Sequence, residues 1–130
     1  MKTFIALSLM FLGALGSVIA AEPPSLTPAA AETWLAATPA AQIVDVRTRE
    51  EFATGHLAKA ALIPWTDADF RARVLKELDP KKPVLLYCRS GRRSAAAATA
   101  LSELGFTDLR HLDGGILAWQ QAGKSITKPE

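Results

Sequence analysis

One short run holds most of the residues in this chain that could do chemistry: Cys88-Arg89-Ser90-Gly91-Arg92-Arg93-Ser94. Cys88 is the only cysteine in 130 residues. It closes the apolar run Pro83-Val84-Leu85-Leu86-Tyr87, and an alanine-rich helical stretch follows Ser94. A strand therefore delivers one thiol to a short loop, and the loop opens a helix. There the thiol meets three arginines, a set of backbone N–H groups and the positive end of a helix dipole. Each favours thiolate over thiol. The same surroundings attract an anionic substrate. A free cysteine more often packs as a small hydrophobe, but such a residue has no use for neighbouring arginines. The chemistry on offer is attack by a thiolate on an anion.

The flanking sequence supplies the elements that must hold this loop. Thr27-Pro28 starts a helix that runs through Trp34 and Leu35 toward Ala37, with threonine as N-cap and proline at the first helical position. Gln42-Ile43-Val44-Asp45-Val46 is a short β-branched run and predicts a buried strand. Thr48 and Glu51 form a capping box at the head of a short helix that Gly55 ends. Ala61-Leu62-Ile63 is a second short strand, stopped by Pro64. Asp67 is expected to cap a helix from about Ala68 to Leu78, with Phe70, Val74, Leu75 and Leu78 at helical spacing. After the strand Val84–Tyr87 come a helix from Ser94 to Leu104, with Gly105 as its C-cap, and the strand Leu109–Leu112. Asp113-Gly114-Gly115 turns into a last helix, Ile116 to Ala122. Strands alternate with helices throughout. That pattern predicts an α/β fold with a central parallel sheet and helices on both faces. In such sheets ligands sit beyond the carboxyl ends of the strands, where Cys88 falls.

Composition narrows the setting. Apolar residues make up 49% and charged residues 22%, enough for a real core and unlike a disordered chain. The net charge of +2 is no footprint for nucleic acid. Met1-Lys2-Thr3, the apolar stretch from Phe4 to Leu15 and the small residues of Ser17-Val18-Ile19-Ala20-Ala21 make a secretory signal, cleaved after Ala20 or Ala21. This predicts a signal peptide over 1–20, a linker over 21–26 and one domain over 27–128. The expected location is the bacterial periplasm, with no stable membrane association after cleavage. Export implies an oxidising compartment, where cysteines usually pair. A lone cysteine is then an intermolecular partner or a reactive thiol, and the loop favours the second. No histidine or cysteine spacing suits a metal.

Three segments together resemble the single-domain rhodanese (thiosulfate sulfurtransferase) family. The first is Ile43-Val44-Asp45-Val46-Arg47 with Glu50-Glu51-Phe52, Gly55-His56-Leu57 and Ile63-Pro64. The second is Tyr87-Cys88-Arg89-Ser90-Gly91-Arg92-Arg93-Ser94. The third is Leu112-Asp113-Gly114-Gly115-Ile116 with Ala118-Trp119 and Gly123. The loop reads C-x4-R, Cys88 to Arg93, as in the family's sulfur-transferring members. Phosphatases of the same fold carry a loop one residue longer. The chain departs from the family at Lys59, where a glycine is usual, and at Leu62, where asparagine is common.

The resemblance implies a rhodanese-like fold and sulfur transfer without a cofactor. Cys88 would be the catalytic nucleophile and carry a persulfide. Arg89, Ser90, Gly91, Arg92, Arg93 and Ser94 would form the substrate-binding loop, their N–H groups sharing the charge of the sulfur. Arg89 and Arg92 would clamp the sulfonate from the solvent side. Arg93 would close the loop by folding back on Asp45 or Glu51. Asp45, Arg47 and Glu51 would support the loop, with Arg47 as the nearest partner for a buried Asp45. Implied partners are thiosulfate or another sulfane-sulfur donor, and a small thiol, cyanide or a protein thiol as acceptor. A monomer is expected. Two other readings compete: a persulfide carrier that hands sulfur to a partner protein, and, disfavoured by loop length, a phosphatase or arsenate reductase.

Overall fold

The residues leading to Cys88 are apolar on both sides of the strand. The computed structural model, which describes residues 22–129, buries Val84, Leu85, Leu86 and Tyr87 completely. A strand apolar on both faces needs cover on both faces. In chain order the elements are β1 (Ser25–Leu26), α1 (Pro28–Ala37), β2 (Gln42–Asp45), α2 (Arg49–Ala53), β3 (Ala61–Leu62), α3 (Phe70–Glu77), β4 (Val84–Tyr87), α4 (Arg92–Glu103), β5 (Leu109–Leu112) and α5 (Gly115–Gln121). The five strands form one all-parallel sheet in the order β1-β5-β4-β2-β3, so β4 lies at its centre.

The two-residue period of β4 sorts its side chains between two cores. Val84, Leu86 and Cys88 join Val44, Val74 and Leu101 on the face that α3 and α4 cover. Leu85 and Tyr87 join Ala31, Ile116 and Trp119 on the face that α1 and α5 cover. The expected α/β architecture is the observed one. Thr27 caps α1 by accepting from the Ala30 N–H. Thr48 and Glu51 form both halves of their capping box.

The signal segment expected over 1–20 lies outside the described residues. Three local expectations need correcting. The linker expected over 21–26 ends in a strand, because Ser25 and Leu26 pair with His111 and Leu112 at the sheet edge. The third helix begins at Phe70, and Asp67 does not cap it. Asp67 instead takes part in a tight turn, its C=O accepting the Phe70 N–H, while its carboxylate meets Arg49 at 3.1 Å. The fourth helix begins at Arg92, two residues before Ser94, which puts Arg92 and Arg93 inside its first turn. At the family's missing glycine, Lys59 itself takes the left-handed conformation, with φ at 65°. That conformation costs a residue with a Cβ about 1 kcal/mol.

Candidate active site

β4 stops at Tyr87 and α4 starts at Arg92, so Cys88 to Gly91 is the whole connection. Gly91 holds φ at 109°, which turns the chain sharply into the helix. The turn brings the Gly91 N–H to 3.0 Å from Cys88 Sγ. Ser94, fully buried in the first turn of α4, sets its Oγ 3.5 Å from the sulfur and donates to the Gly91 C=O at 3.1 Å. Cys88 is only 1% exposed. Burial by itself pushes the thiol up. The Ser94 hydroxyl and the N–H groups of Ser94, Gly91 and Ser90 overcome it and hold Cys88 below the ordinary thiol value. A backbone N–H held on the sulfur, with a hydroxyl beside it, stabilises a negative charge there, whether on a thiolate or on an added sulfur.

The loop arginines have different neighbours. Arg93 points back across the sheet edge to α2, where its two terminal nitrogens meet Glu51 Oε1 at 2.7 Å and Oε2 at 3.0 Å. The pair is bidentate and about a quarter exposed. Glu51 thus serves two elements, closing the capping box on Thr48 and holding the Cys88 loop through Arg93. Its hydrogen bonds from Arg93 outweigh burial and draw the carboxyl down to about 2. Of the two carboxylates open to Arg93 from sequence, the structure selects Glu51. Arg89 and Arg92 stand exposed and make no ion pair among the described residues. Two cationic groups of the loop are therefore free to meet an anion from solvent.

Asp45 does pair with Arg47, in a buried network under the sheet edge. Arg47 Nη2 lies 2.8 Å from Asp45 Oδ2, and its Nε lies 3.0 Å from Oδ1. The same Nη2 donates to the Gly55 C=O at 2.6 Å. Burial works against the guanidinium's charge, and the Asp45 carboxylate more than restores it.

Two members of the site were not named from sequence. The Tyr87 hydroxyl donates to Asp45 Oδ2 at 2.7 Å and accepts the Leu57 N–H at 3.0 Å. It closes the network and ties β4 to the segment after α2. Burial, then the charge of Asp45, push this phenol above its ordinary value, so it stays a donor. A tyrosine ending a fully apolar strand was the available signal, since a buried hydroxyl needs a partner. The other is Gly115, packed against the loop backbone: a Cβ built there would lie 2.4 Å from the Arg89 O. Two consecutive glycines after a strand mark a turn, but nothing local says what lies against it.

Comparison with known proteins places this arrangement. A model of the rhodanese-like domain matches residues 27–122. A sulfurtransferase of Allochromatium vinosum is 36% identical over 96 residues, covering 74% of this chain and 87% of that protein. A probable adenylyltransferase/sulfurtransferase of Mycobacterium tuberculosis, MoeZ, is 36% identical over 100 residues, but this chain spans only 25% of its length. Among solved structures, a rhodanese-related protein of Thermoplasma volcanium superposes with a TM-score of 0.71 at 29% identity, over 82% of this chain and 99% of that one. Since the domain model takes in α1 through α5, the Cys88 loop included, this chain belongs to the rhodanese-like family.

Proposed function

We propose that this protein is an exported, periplasmic sulfurtransferase. It moves sulfane sulfur from thiosulfate or a similar anionic donor, through a persulfide on Cys88, to a thiophilic acceptor. The Cys88 thiolate attacks the outer sulfur of thiosulfate. The S–S bond of the donor breaks with its electron pair on sulfite, and the sulfur remains on Cys88 as a persulfide anion. An acceptor thiolate or cyanide then takes that sulfur and regenerates the thiolate. Sulfite leaves as a stable anion, so the first step needs no general acid. The observation that carries the reading is a thiol held against the Gly91 N–H and the Ser94 hydroxyl at the head of a helix, in a loop whose Arg89 and Arg92 are exposed and unpaired among the described residues. It is supported by the sulfurtransferase names of similar proteins.

The test is sulfur transfer from thiosulfate to cyanide, with mass spectrometry of the protein after thiosulfate alone. Wild type should turn over and should gain one sulfur atom on Cys88. Cys88→Ser should keep its fold and lose both, because a hydroxyl is a far weaker nucleophile and holds no persulfide. A Cys88→Ser protein with a tenth of the wild-type rate would sink the mechanism. A gain of sulfur without turnover would leave a persulfide carrier as the function instead.

A further inference from the structure

The loop's amides face the sulfur only if its carbonyls face elsewhere, and α5 provides the place. The Ile116 N–H donates to the Cys88 C=O at 2.9 Å, and the Leu117 N–H donates to the Arg89 C=O at 3.2 Å. These donors belong to the first turn of α5, which has no partners for them within the helix. A trans peptide is planar, with its C=O and N–H pointing in opposite directions. Fixing the Arg89 C=O on Leu117 therefore aims the next N–H, that of Ser90, the other way. The N–H that follows in the loop, that of Gly91, meets the Cys88 sulfur at 3.0 Å, and the Ser90 N–H also favours the thiolate.

The approach is close enough to depend on one missing side chain. A Cβ on Gly115 would stand 2.4 Å from the Arg89 O and 2.6 Å from the Cys88 O, both backbone atoms without a rotamer to move into. We propose that Gly115 is a positioning residue for sulfur transfer. Its bare backbone lets α5 grip the carbonyls of Cys88 and Arg89, and that grip sets the loop so that its N–H groups, Gly91 foremost, face the sulfur. The kinetic part of this proposal rests on the sulfurtransferase reading, while the geometric part stands without it.

Gly114 is the internal control. It also has a left-handed backbone, φ 72° against 62° for Gly115. A Cβ there would also be crowded, at 2.5 Å, but by the Ala118 Cβ within the same helix and not by the loop. Alanine at either position should cost comparable stability. Only alanine at 115 should reach the sulfur.

The experiment follows iodoacetamide alkylation of Cys88 against pH in wild type, Gly115→Ala and Gly114→Ala, with thiosulfate–cyanide kinetics on the same samples. Gly115→Ala should move the alkylation midpoint to higher pH. It should slow alkylation at neutral pH roughly tenfold, the order expected for one lost charge-assisted hydrogen bond. Its kcat should fall with little change in KM. Gly114→Ala should melt earlier and keep the wild-type midpoint. Should Gly115→Ala not fold, Leu117→Pro against Leu117→Ala asks the same question. Both remove the side chain, but only proline removes the N–H on Arg89, and the first turn of a helix tolerates proline. A higher midpoint for Leu117→Pro than for Leu117→Ala supports the proposal. Equal midpoints in Gly115→Ala and wild type, or in the two Leu117 variants, overturn it. Wild type without sulfur transfer would overturn the functional reading, and the alkylation arm would still decide the role of Gly115.

Discussion

Arg47 and Arg93 do similar chemistry at two depths of the same molecule. Each offers two nitrogens to one carboxylate, Asp45 in the first case and Glu51 in the second. The first pair is enclosed, with side chains 5% and 0% exposed, and it borrows further partners from Gly55 and Tyr87. The second sits at the rim, 29% and 27% exposed, and spans from α2 to the catalytic loop. The difference teaches what each can do. An enclosed pair cannot lose one member without stranding the other away from water, so it fixes a scaffold. A rim pair can exchange its partner for water or for an anion at modest cost, so it leaves the Cys88 loop room to adjust.

Truncation sharpens this contrast. Arg47→Ala should have the largest effect on stability, about 3–5 kcal/mol, because it leaves the Asp45 carboxylate buried without its cation. In a chain of this size that is a drop in Tm of about 10 °C or more, readable by thermal melts. Arg93→Ala should cost about 1 kcal/mol, since its pair is screened by water. It should also lower kcat, because it frees the loop from α2. Equal melting losses in the two variants would mean that burial is not what separates the pairs.

A pH series separates them further. Glu51 is held from its ordinary 4.5 down to about 2 by Arg93. A carboxyl depressed on folding contributes stability that is fully present above its ordinary value and disappears as pH falls through the folded one. Wild type should therefore be more stable than Arg93→Ala above about pH 4.5, with the gap closing as pH approaches 2. A gap that persists to pH 2 would show that the pair contributes by packing alone. The smallest effect on stability belongs to Arg92, which is exposed and unpaired. Arg92→Ala should leave the Tm within about 2 °C of wild type and raise the KM for thiosulfate roughly tenfold. A stability loss there, with KM unchanged, would assign the anion contact to another group.

The features legible in the sequence are those decided over a few neighbouring residues. Val84–Tyr87 could only be a central strand, because no exposed strand tolerates four apolar residues in a row. The capping box of Thr48 and Glu51 is local chemistry, as is the thiol at the head of a helix. What stayed hidden depends on residues far apart in the chain. Ser25 and Leu26 have no strand signal beside two prolines; they become β1 only because β5 offers an unpaired edge. Asp67 reads as a cap, but its carboxylate meets Arg49, 18 residues earlier, instead of the head of α3. The partners of Tyr87 lie on β2 and after α2, and the contact of Gly115 lies on the loop after β4. Spacing along one segment carries no information about such meetings.

β1 has a consequence for how the chain is handled at its leading end. The Leu26 C=O accepts the Asp113 N–H at 2.8 Å, and the Pro24 C=O accepts the His111 N–H at 3.1 Å. Asp113 leads directly through Gly114 into the turn that grips the Cys88 loop. Leu26 is thus linked to Cys88 through the turn at 113–116 and two hydrogen bonds, one from the Asp113 N–H and one from the Ile116 N–H. Two-residue edge strands open more readily than central ones. A tag or a trimmed terminus placed against Pro24 should therefore act on the thiol and not merely on a free end. Recombinant versions that begin at different residues between 22 and 27 should be treated as different enzymes when their rates are compared.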